Sequence, residues 1–184
     1  MIAVDPSRTA LLVMDMQQEV TPILGDRASA FFERTAGVIA AARKARWPVL
    51  YVVVGFRPGY PELKTGTAMQ ERVAKMGGFI APEVVPQLKP EPHEPVIVKK
   101  RVSAFSGSDL DVVLRAKGID TLVLAGISTS GVVLSTVRQA GDLDFKMFVV
   151  RDCCADPDEE VHRMLMEKLF ARQTTVVTAA DVTG

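Results

Sequence analysis

The sequence predicts an α/β domain with a parallel sheet and right-handed crossovers. Short apolar runs alternate along the chain with segments in which apolar residues recur at helical spacing, and this alternation is typical of such domains. The clearest unit covers residues 121–140, where an apolar run, a turn of small residues and an amphipathic stretch follow one another. At 184 residues the chain can bury roughly 70% of the surface that its unfolded form exposes, so we expect one domain over residues 1–184.

The first predicted strand, Thr9–Met14, is an apolar run that ends at Asp15. A carboxylate at the end of a buried parallel strand lies at the carboxyl edge of the sheet, where open α/β folds bind their ligands. Asp15 can also be interpreted as an N-cap of the next segment, which is a frequent role for aspartate. The polar residues 17–19 are predicted to form a loop.

The next helix is predicted over residues 31–45, and Pro48 separates it from a β-branched strand at 49–54. The segment that follows, 55–95, is the least regular part of the chain and holds most of its prolines. Its apolar side chains need burial, which argues against a disordered linker. We therefore expect a lid or an interface arm, with one short helix at 69–76.

A third strand at 96–98 ends in three consecutive cations, Lys99, Lys100 and Arg101. Such a run is more often a solvated edge than a functional site, and the pattern alone leaves both interpretations open. A helix over 109–117 follows it.

The turn at 126–131, between the fourth strand and its helix, holds two glycines and three small hydroxyl residues. Such a turn lets the backbone approach a ligand and can point free N–H groups at an oxyanion. It can also be a tight crossover in which the glycines serve geometry alone. Strands at 145–150 and 175–178, joined by a helix that begins at Pro157 and Asp158, complete the predicted sheet.

Charge and composition argue against several classes of partner. The 22 basic and 22 acidic residues balance and form no like-charge block, so we expect no binding to nucleic acid or to an anionic membrane surface. No apolar stretch approaches the roughly 18 residues that span a bilayer. The two cysteines, Cys153 and Cys154, are adjacent and poorly placed to bridge, so a cytoplasmic location is the default expectation.

Four segments resemble the isochorismatase-like cysteine hydrolases, and together they span essentially the whole chain. They are LLVMDMQ at 11–17, VKKRVSAF at 98–105, LVLAGISTSGVVLST at 122–136 and VVRDCCADPDEEVH at 149–162. The resemblance implies a three-layer α/β/α, Rossmann-like fold, a six-stranded parallel sheet in the order 3-2-1-4-5-6, and assembly as a homodimer or homotetramer. In that order strands one and four are neighbours, so Asp15 and the turn are expected to meet in one crevice.

The resemblance also implies a catalytic set. It assigns Asp15 the role of proton acceptor and donor, and it assigns Lys99 the role of stabilising negative charge and lowering the pKa of its neighbours. It places a cis peptide between Ile127 and Ser128, in an oxyanion-holding turn that also includes Gly131. No cofactor or metal is expected, because the region VVVGFRPGY lacks the Asp and His ligands of nicotinamidases.

Val132 stands where the resembled family has its catalytic cysteine. Valine cannot act as a nucleophile. Ser128, Thr129 and Ser130 could each be a substitute nucleophile, but none is expected to have a nearby histidine to activate it, since the only histidines are His93 and His162. His162, on the last predicted helix, is expected to be structural.

Two functions are therefore predicted. The first is hydrolysis of a small molecule by water with help from Asp15 and Lys99. A vinyl ether is favoured over an amide, because its protonation leaves an oxocarbenium ion that needs no thiol. The candidates for binding the substrate are Gln17, Arg57, Arg101 and Ser130. The alternative is an inactive member of the family that binds a small molecule or serves as an oligomeric scaffold.

Overall fold

Six parallel strands form one sheet in the order β3-β2-β1-β4-β5-β6, in a computed structural model that describes residues 2–76 and 78–184. The strands are β1 (Thr9–Met14), β2 (Val49–Val54), β3 (Val96–Lys99), β4 (Thr121–Ile127), β5 (Lys146–Ala155) and β6 (Thr175–Val177). Every neighbouring pair is parallel. The predicted α/β class and the strand order that the resemblance implies are confirmed.

Helices cover both faces of the sheet. They are α1 (Ala28–Lys44), α2 (Ala68–Met76), α3 (Leu110–Ala116), α4 (Leu134–Asp142), α5 (Glu159–Met164) and α6 (Ala179–Thr183). Successive residues of β1 point to opposite faces, so Leu11 and Val13 pack with α1 and α6, whereas Leu12 and Met14 pack with α3 and α4. None of the helices in the described residues is both long and apolar enough to cross a bilayer.

β5 extends five residues beyond its predicted end at 150. The register between β4 and β5 shifts just before Gly126, and pairing resumes with Gly126 opposite Cys154. This irregularity lets the ladder continue past the polar Arg151 and Asp152, which the apolar pattern alone indicates as the end of the strand. The longer strand brings the start of α5 close to the turn that follows β4.

The irregular segment after β2 is organised around a small apolar cluster of its own. Phe56, Leu63, Val73 and Phe79 are buried together, and the rings of Phe56 and Phe79 pack edge to face with centroids 6.5 Å apart. α2 contributes Val73 and begins one residue before its predicted start. The role of this segment as a lid or an interface arm stays a prediction.

Replacing Leu12 with alanine should lower the free energy of unfolding by roughly 2–5 kcal/mol, because its side chain is fully buried in a central strand and truncation leaves a cavity. Urea denaturation followed by circular dichroism measures this loss. Val112→Ala is the matched control, since the Val112 side chain on α3 is 69% exposed. An equal loss in the two variants would contradict this placement of the core.

Candidate active site

A buried ion pair joins the ends of β1 and β3. Asp15 directly follows β1, and Lys99 is the last residue of β3. β2 lies between these strands, so the lysine side chain reaches across the end of β2 and places its Nζ 2.9 Å from Asp15 Oδ2. The side chain of Lys99 is 1% exposed and that of Asp15 is 8% exposed. The first member of the cation run is therefore an interior group, and only the later ones approach solvent.

Backbone contacts fix both partners. Asp15 has a left-handed backbone conformation, with φ of 56°, and its N–H donates to the Val52 carbonyl at 2.8 Å. Lys99 Nζ donates to the carbonyls of Arg101, at 3.1 Å, and Val102, at 2.7 Å. With the carboxylate, these two acceptors engage all three donors of the ammonium group. The lysine cannot turn away without losing several buried hydrogen bonds.

The second carboxylate oxygen of Asp15, Oδ1, is buried and has no hydrogen-bond partner in the described structure. Burial raises the pKa of Asp15 from 3.8 to about 6, while the nearby ammonium of Lys99 opposes the rise. The carboxyl group therefore changes its protonation state close to neutral pH. A group of this kind can donate a proton and later recover it.

A cavity of about 220 Å³ opens beside the pair. Its apolar wall is formed by Val20, Ile23, Val54, Phe56, Val73, Phe79, Val102, Ile127, Val132 and Pro157. Its charged residues are Asp15, Glu19, Arg72, Lys99, Lys100 and Arg101. Four cations thus face two carboxylates around an apolar interior, a combination that suits a small organic anion.

The turn after β4 forms one wall of this cavity. The Ile127–Ser128 peptide bond is cis, where the resemblance places it. Ser128 Oγ accepts a hydrogen bond from the Gly131 N–H at 3.1 Å, and a Cβ at Gly131 would lie 2.7 Å from that oxygen, so only glycine fits without a shift. Val132 is 2% exposed and lines the cavity with an isopropyl group.

Neither cysteine lines the cavity that contains Val132. Cys153 packs on the α1 face of the sheet and Cys154 on the α4 face. Burial raises the pKa of both thiols, to about 12 for Cys153. Neither thiol ionises near neutral pH, so neither supplies a nucleophile to this cavity. The expectation that no hydroxyl of the turn has a histidine nearby is wrong for Thr129, whose Oγ1 lies 2.7 Å from Nδ1 of His162, but Thr129 is fully buried and does not line the cavity.

One group of metal-ligating side chains stands out among the described residues. Glu91, His93 and Glu94 have ligand atoms within 4.8 Å of one another, just before β3 begins. The guanidinium of Arg43 already contacts Glu94 at 2.7 Å, and this cation competes with a metal ion for the carboxylate. The group lies apart from the cavity and adds nothing to it.

The structure places three of the four substrate-binding candidates outside the cavity. Gln17 is fully buried, and its amide binds the N–H of Val54 at 2.7 Å and the carbonyl of Val54 at 3.2 Å. Its polar side chain therefore ties the loop after β1 to the end of β2. Arg57 is exposed and pairs with Glu62, and Ser130 is exposed on the turn.

Arg101, the fourth candidate, lines the cavity together with three charged residues that were not predicted to belong to the site. Lys100 donates a hydrogen bond to the carbonyl of Gly55. Its place in the run of three cations was the one sequence feature that could have indicated a role at the site. Glu19 accepts hydrogen bonds from the irregular segment and from the side chain of Gln17. Arg72 has no local signal, because only the folding of the segment after β2 brings α2 to the cavity.

Known proteins match this chain over most of its length. A family model described as the isochorismatase domain matches residues 9–181. The phenazine biosynthesis protein PhzD1 of Pseudomonas aeruginosa is 36% identical, over 98% of this chain and 87% of its own length. The ureidoacrylate amidohydrolase RutB of Variovorax paradoxus is 33% identical, over 82% of this chain and 70% of its own length. A solved isochorismatase family protein from Desulfovibrio vulgaris superposes with a TM-score of 0.83 at 30% identity, covering 95% of this chain and 96% of its own.

Replacing Lys99 with methionine should raise the pKa of Asp15 above about 6, because the buried carboxylate then loses the cation that stabilises it. Infrared difference spectroscopy of the carboxyl stretch during a pH titration measures this value. Lys100→Met is the matched control, since Lys100 lines the same cavity but donates to a backbone carbonyl. Equal shifts in the two variants, or none in Lys99→Met, would contradict the pairing.

Proposed function

The chain belongs to the isochorismatase family, and we propose that it is a small-molecule hydrolase in which Asp15 transfers the proton and water attacks directly. The observation that carries the proposal is the buried carboxyl of Asp15, a residue that lines the cavity. One of its oxygens pairs with Lys99, and the other has no hydrogen-bond partner in the described structure. Such a group can protonate a bound substrate, whereas Val132 in the same cavity cannot attack one.

The reaction that this site suits best is the hydrolysis of a vinyl ether. Proton transfer from Asp15 to the carbon–carbon double bond yields an oxocarbenium ion, and water adds to its electrophilic carbon. The hemiketal then loses the alcohol and returns the proton, so one water is consumed while a carbonyl compound and an alcohol are released. No covalent intermediate with the protein is needed, and valine at position 132 is compatible with every step.

Amide hydrolysis is less favoured, although an amidohydrolase is among the relatives. An amide carbonyl is a poorer electrophile than an oxocarbenium ion and needs an activated nucleophile. The two thiols of this chain have raised pKa values and pack within the core on either side of the sheet. A substrate that becomes electrophilic on protonation removes this requirement.

Lys99 has two roles in the proposal. It holds Asp15 Oδ2, which leaves Oδ1 to transfer the proton, and its charge limits the rise in the pKa of Asp15 so that the carboxyl can release that proton. The turn formed by Ile127, Ser128 and Gly131 is proposed to orient the polar end of the substrate against this carboxyl.

We further propose that the substrate is a small organic anion. The cations of Arg72, Lys100 and Arg101 line the cavity, and charge-assisted hydrogen bonds from them would hold a carboxylate. The apolar side chains opposite them suit a hydrocarbon body, and about 220 Å³ limits that body to a small molecule.

A ligand-binding member without turnover is the second candidate function. The observation that favours it is Val132, whose side chain makes this wall of the cavity apolar and unreactive. In that case ligands would raise the melting temperature of the protein and be recovered unchanged.

A cytoplasmic location and assembly as a homodimer or homotetramer are also part of the proposal. Two buried free cysteines are compatible with a reducing compartment, and the assembly is what the family resemblance implies.

Replacing Asp15 with asparagine should lower kcat by roughly 10²–10⁴-fold, because the amide cannot donate the proton. In the unmodified protein kcat/KM should fall about tenfold per pH unit above pH 6, since deprotonation of Asp15 removes the acid as pH rises through its pKa of about 6. Release of pyruvate from isochorismate and from simpler enolpyruvyl ethers measures the rate.

Asp142→Asn, which changes an exposed carboxylate at the end of α4, serves as the control and should keep full activity. Turnover by the Asp15→Asn variant at the rate of the unmodified protein would contradict the role of Asp15 as the acid. Tight binding of these ethers with no pyruvate from the unmodified protein would favour the ligand-binding alternative.

Replacing Arg101 with glutamine should raise KM for a carboxylate substrate roughly 10- to 150-fold while kcat changes little, because a charge-assisted contact contributes roughly 1.5–3 kcal/mol to binding. Arg57→Gln is the matched control, since Arg57 is exposed and pairs with Glu62 away from the cavity. Steady-state kinetics at low salt compare them. A larger effect from Arg57→Gln would place the anion elsewhere.

A further inference from the structure

Two side chains hold the turn after β4 from the side away from the substrate cavity. Ile127 and Ser128 line that cavity, and the next two residues of the turn bind to the opposite side. Thr129 is fully buried, with its Oγ1 2.7 Å from Nδ1 of His162 on α5. Ser130 donates its backbone N–H to Asp156 Oδ2 at 2.7 Å.

Asp156 is itself fixed by the backbone. It lies directly after β5, is 3% exposed, and accepts a second hydrogen bond at Oδ1 from the Asp158 N–H at 3.3 Å. The next residue, Pro157, lines the substrate cavity. One carboxylate thus joins the turn, the end of β5 and the beginning of α5.

His162 differs from Asp156 because protons from solvent can reach it. Its half-buried ring lines a second cavity of about 590 Å³, which shares no lining residue with the cavity beside Asp15. The charged groups around the ring are Arg27 from the turn before α1, Arg151 and Asp156 from β5 and its end, and Glu159 from its own helix. Burial and the two arginines lower the pKa of His162 below 6.5, against the two carboxylates, so the ring is neutral at physiological pH.

We propose that His162 is a positioning residue, which with Asp156 fixes the turn that orients the substrate. An unprotonated Nδ1 accepts the hydrogen bond of the Thr129 hydroxyl, whereas in the protonated ring both nitrogens are donors. Because Thr129 is fully buried, its hydroxyl hydrogen then loses its acceptor. The protonated Nδ1–H can still donate to Oγ1, so protonation reverses the hydrogen bond and weakens the hold on the turn by leaving the buried hydroxyl hydrogen without its acceptor.

This inference rests on the proposed function in one respect, namely that the turn orients a substrate for Asp15. The two groups then act on opposite limbs of the pH profile. Loss of the proton from Asp15 lowers activity above about pH 6, and protonation of His162, whose pKa is lowered by burial, lowers activity on the acid side. Because both groups belong to the free protein, the profile of kcat/KM should show an alkaline limb from Asp15 and an acid limb from His162.

Two substitutions, alone and combined, test the contact between His162 and Thr129. His162→Ala removes the hydrogen bond to Thr129, and Thr129→Val removes the hydroxyl in a side chain of the same shape. Each should lower kcat roughly tenfold or more with little change in KM, because a misplaced turn misorients bound substrate. The double variant should be no slower than either single variant, since all three lose the same contact.

His162→Asn is the rescue variant. Its side-chain amide can occupy the place of Nδ1, accept from Thr129 and remain neutral at every pH. It should restore kcat to within about threefold of the unmodified protein and abolish the acid limb of the profile. Additive losses in the double variant, or an acid limb that persists in His162→Asn, would overturn the proposal.

Hydrogen–deuterium exchange gives a readout that needs no substrate. Amide exchange across residues 128–133 should quicken in Thr129→Val and His162→Ala but not in His162→Asn, while exchange in β2 stays unchanged as the internal control. Faster exchange in these variants, with no turnover by the unmodified protein, would support the role of His162 in holding the turn and would contradict the proposed function. Unchanged exchange in Thr129→Val, which is isosteric and expected to fold, would overturn the inference even if His162→Ala misfolds.

Discussion

The buried pair of Asp15 and Lys99 is the interaction on which the rest of the site depends. Both charged groups are buried, so removing either one leaves the other as an unpaired charge in the interior, which is strongly destabilising. The pair also constrains the fold, because the lysine must reach it across β2. The register of the sheet places Lys99 opposite Val54, the last residue of β2, and this makes the reach short. The strand order is thus a condition of the ion pair.

The same order explains where the cavity lies. The chain leaves β1 towards β2 and β3 on one side and towards β4 on the other, and the crevice forms where the order reverses. β4 supplies the turn, and the segment after β2 supplies the facing apolar wall through Phe56 and Phe79. That wall rests on a small cluster separate from the two cores on the faces of the sheet. The carboxyl edge of the sheet and the segment after β2 therefore meet at the cavity beside Asp15.

Local pattern was enough to predict the groups that end strands, but it could not predict those placed by distant contacts. Asp15 and Lys99 each follow an apolar run, so their position at the carboxyl edge follows from the runs themselves. Gln17 lies in a polar loop by pattern, yet it is buried because strand pairing brings Val54, 37 residues away, to its amide. Arg72 reaches the cavity only through the packing of α2. The end of β5 was predicted too early because a register shift leaves no trace in hydrophobicity.

Valine at position 132 changes what the turn must do. In a thiol mechanism the residue at this position forms the bond to the substrate, whereas in a water mechanism it only shapes the cavity. The alignment of the substrate with the acid then depends on the groups that hold each of them. In the proposed mechanism, the hydrogen bonds of Thr129 to His162 and of Ser130 to Asp156 would hold the turn before the substrate binds. The isopropyl group of Val132 lines the same cavity as Asp15, whose burial raises its pKa. If Asp15 is the acid, as proposed, an apolar side chain at position 132 suits that role, because it adds to the cavity wall no polar group that would stabilise the ionised carboxyl.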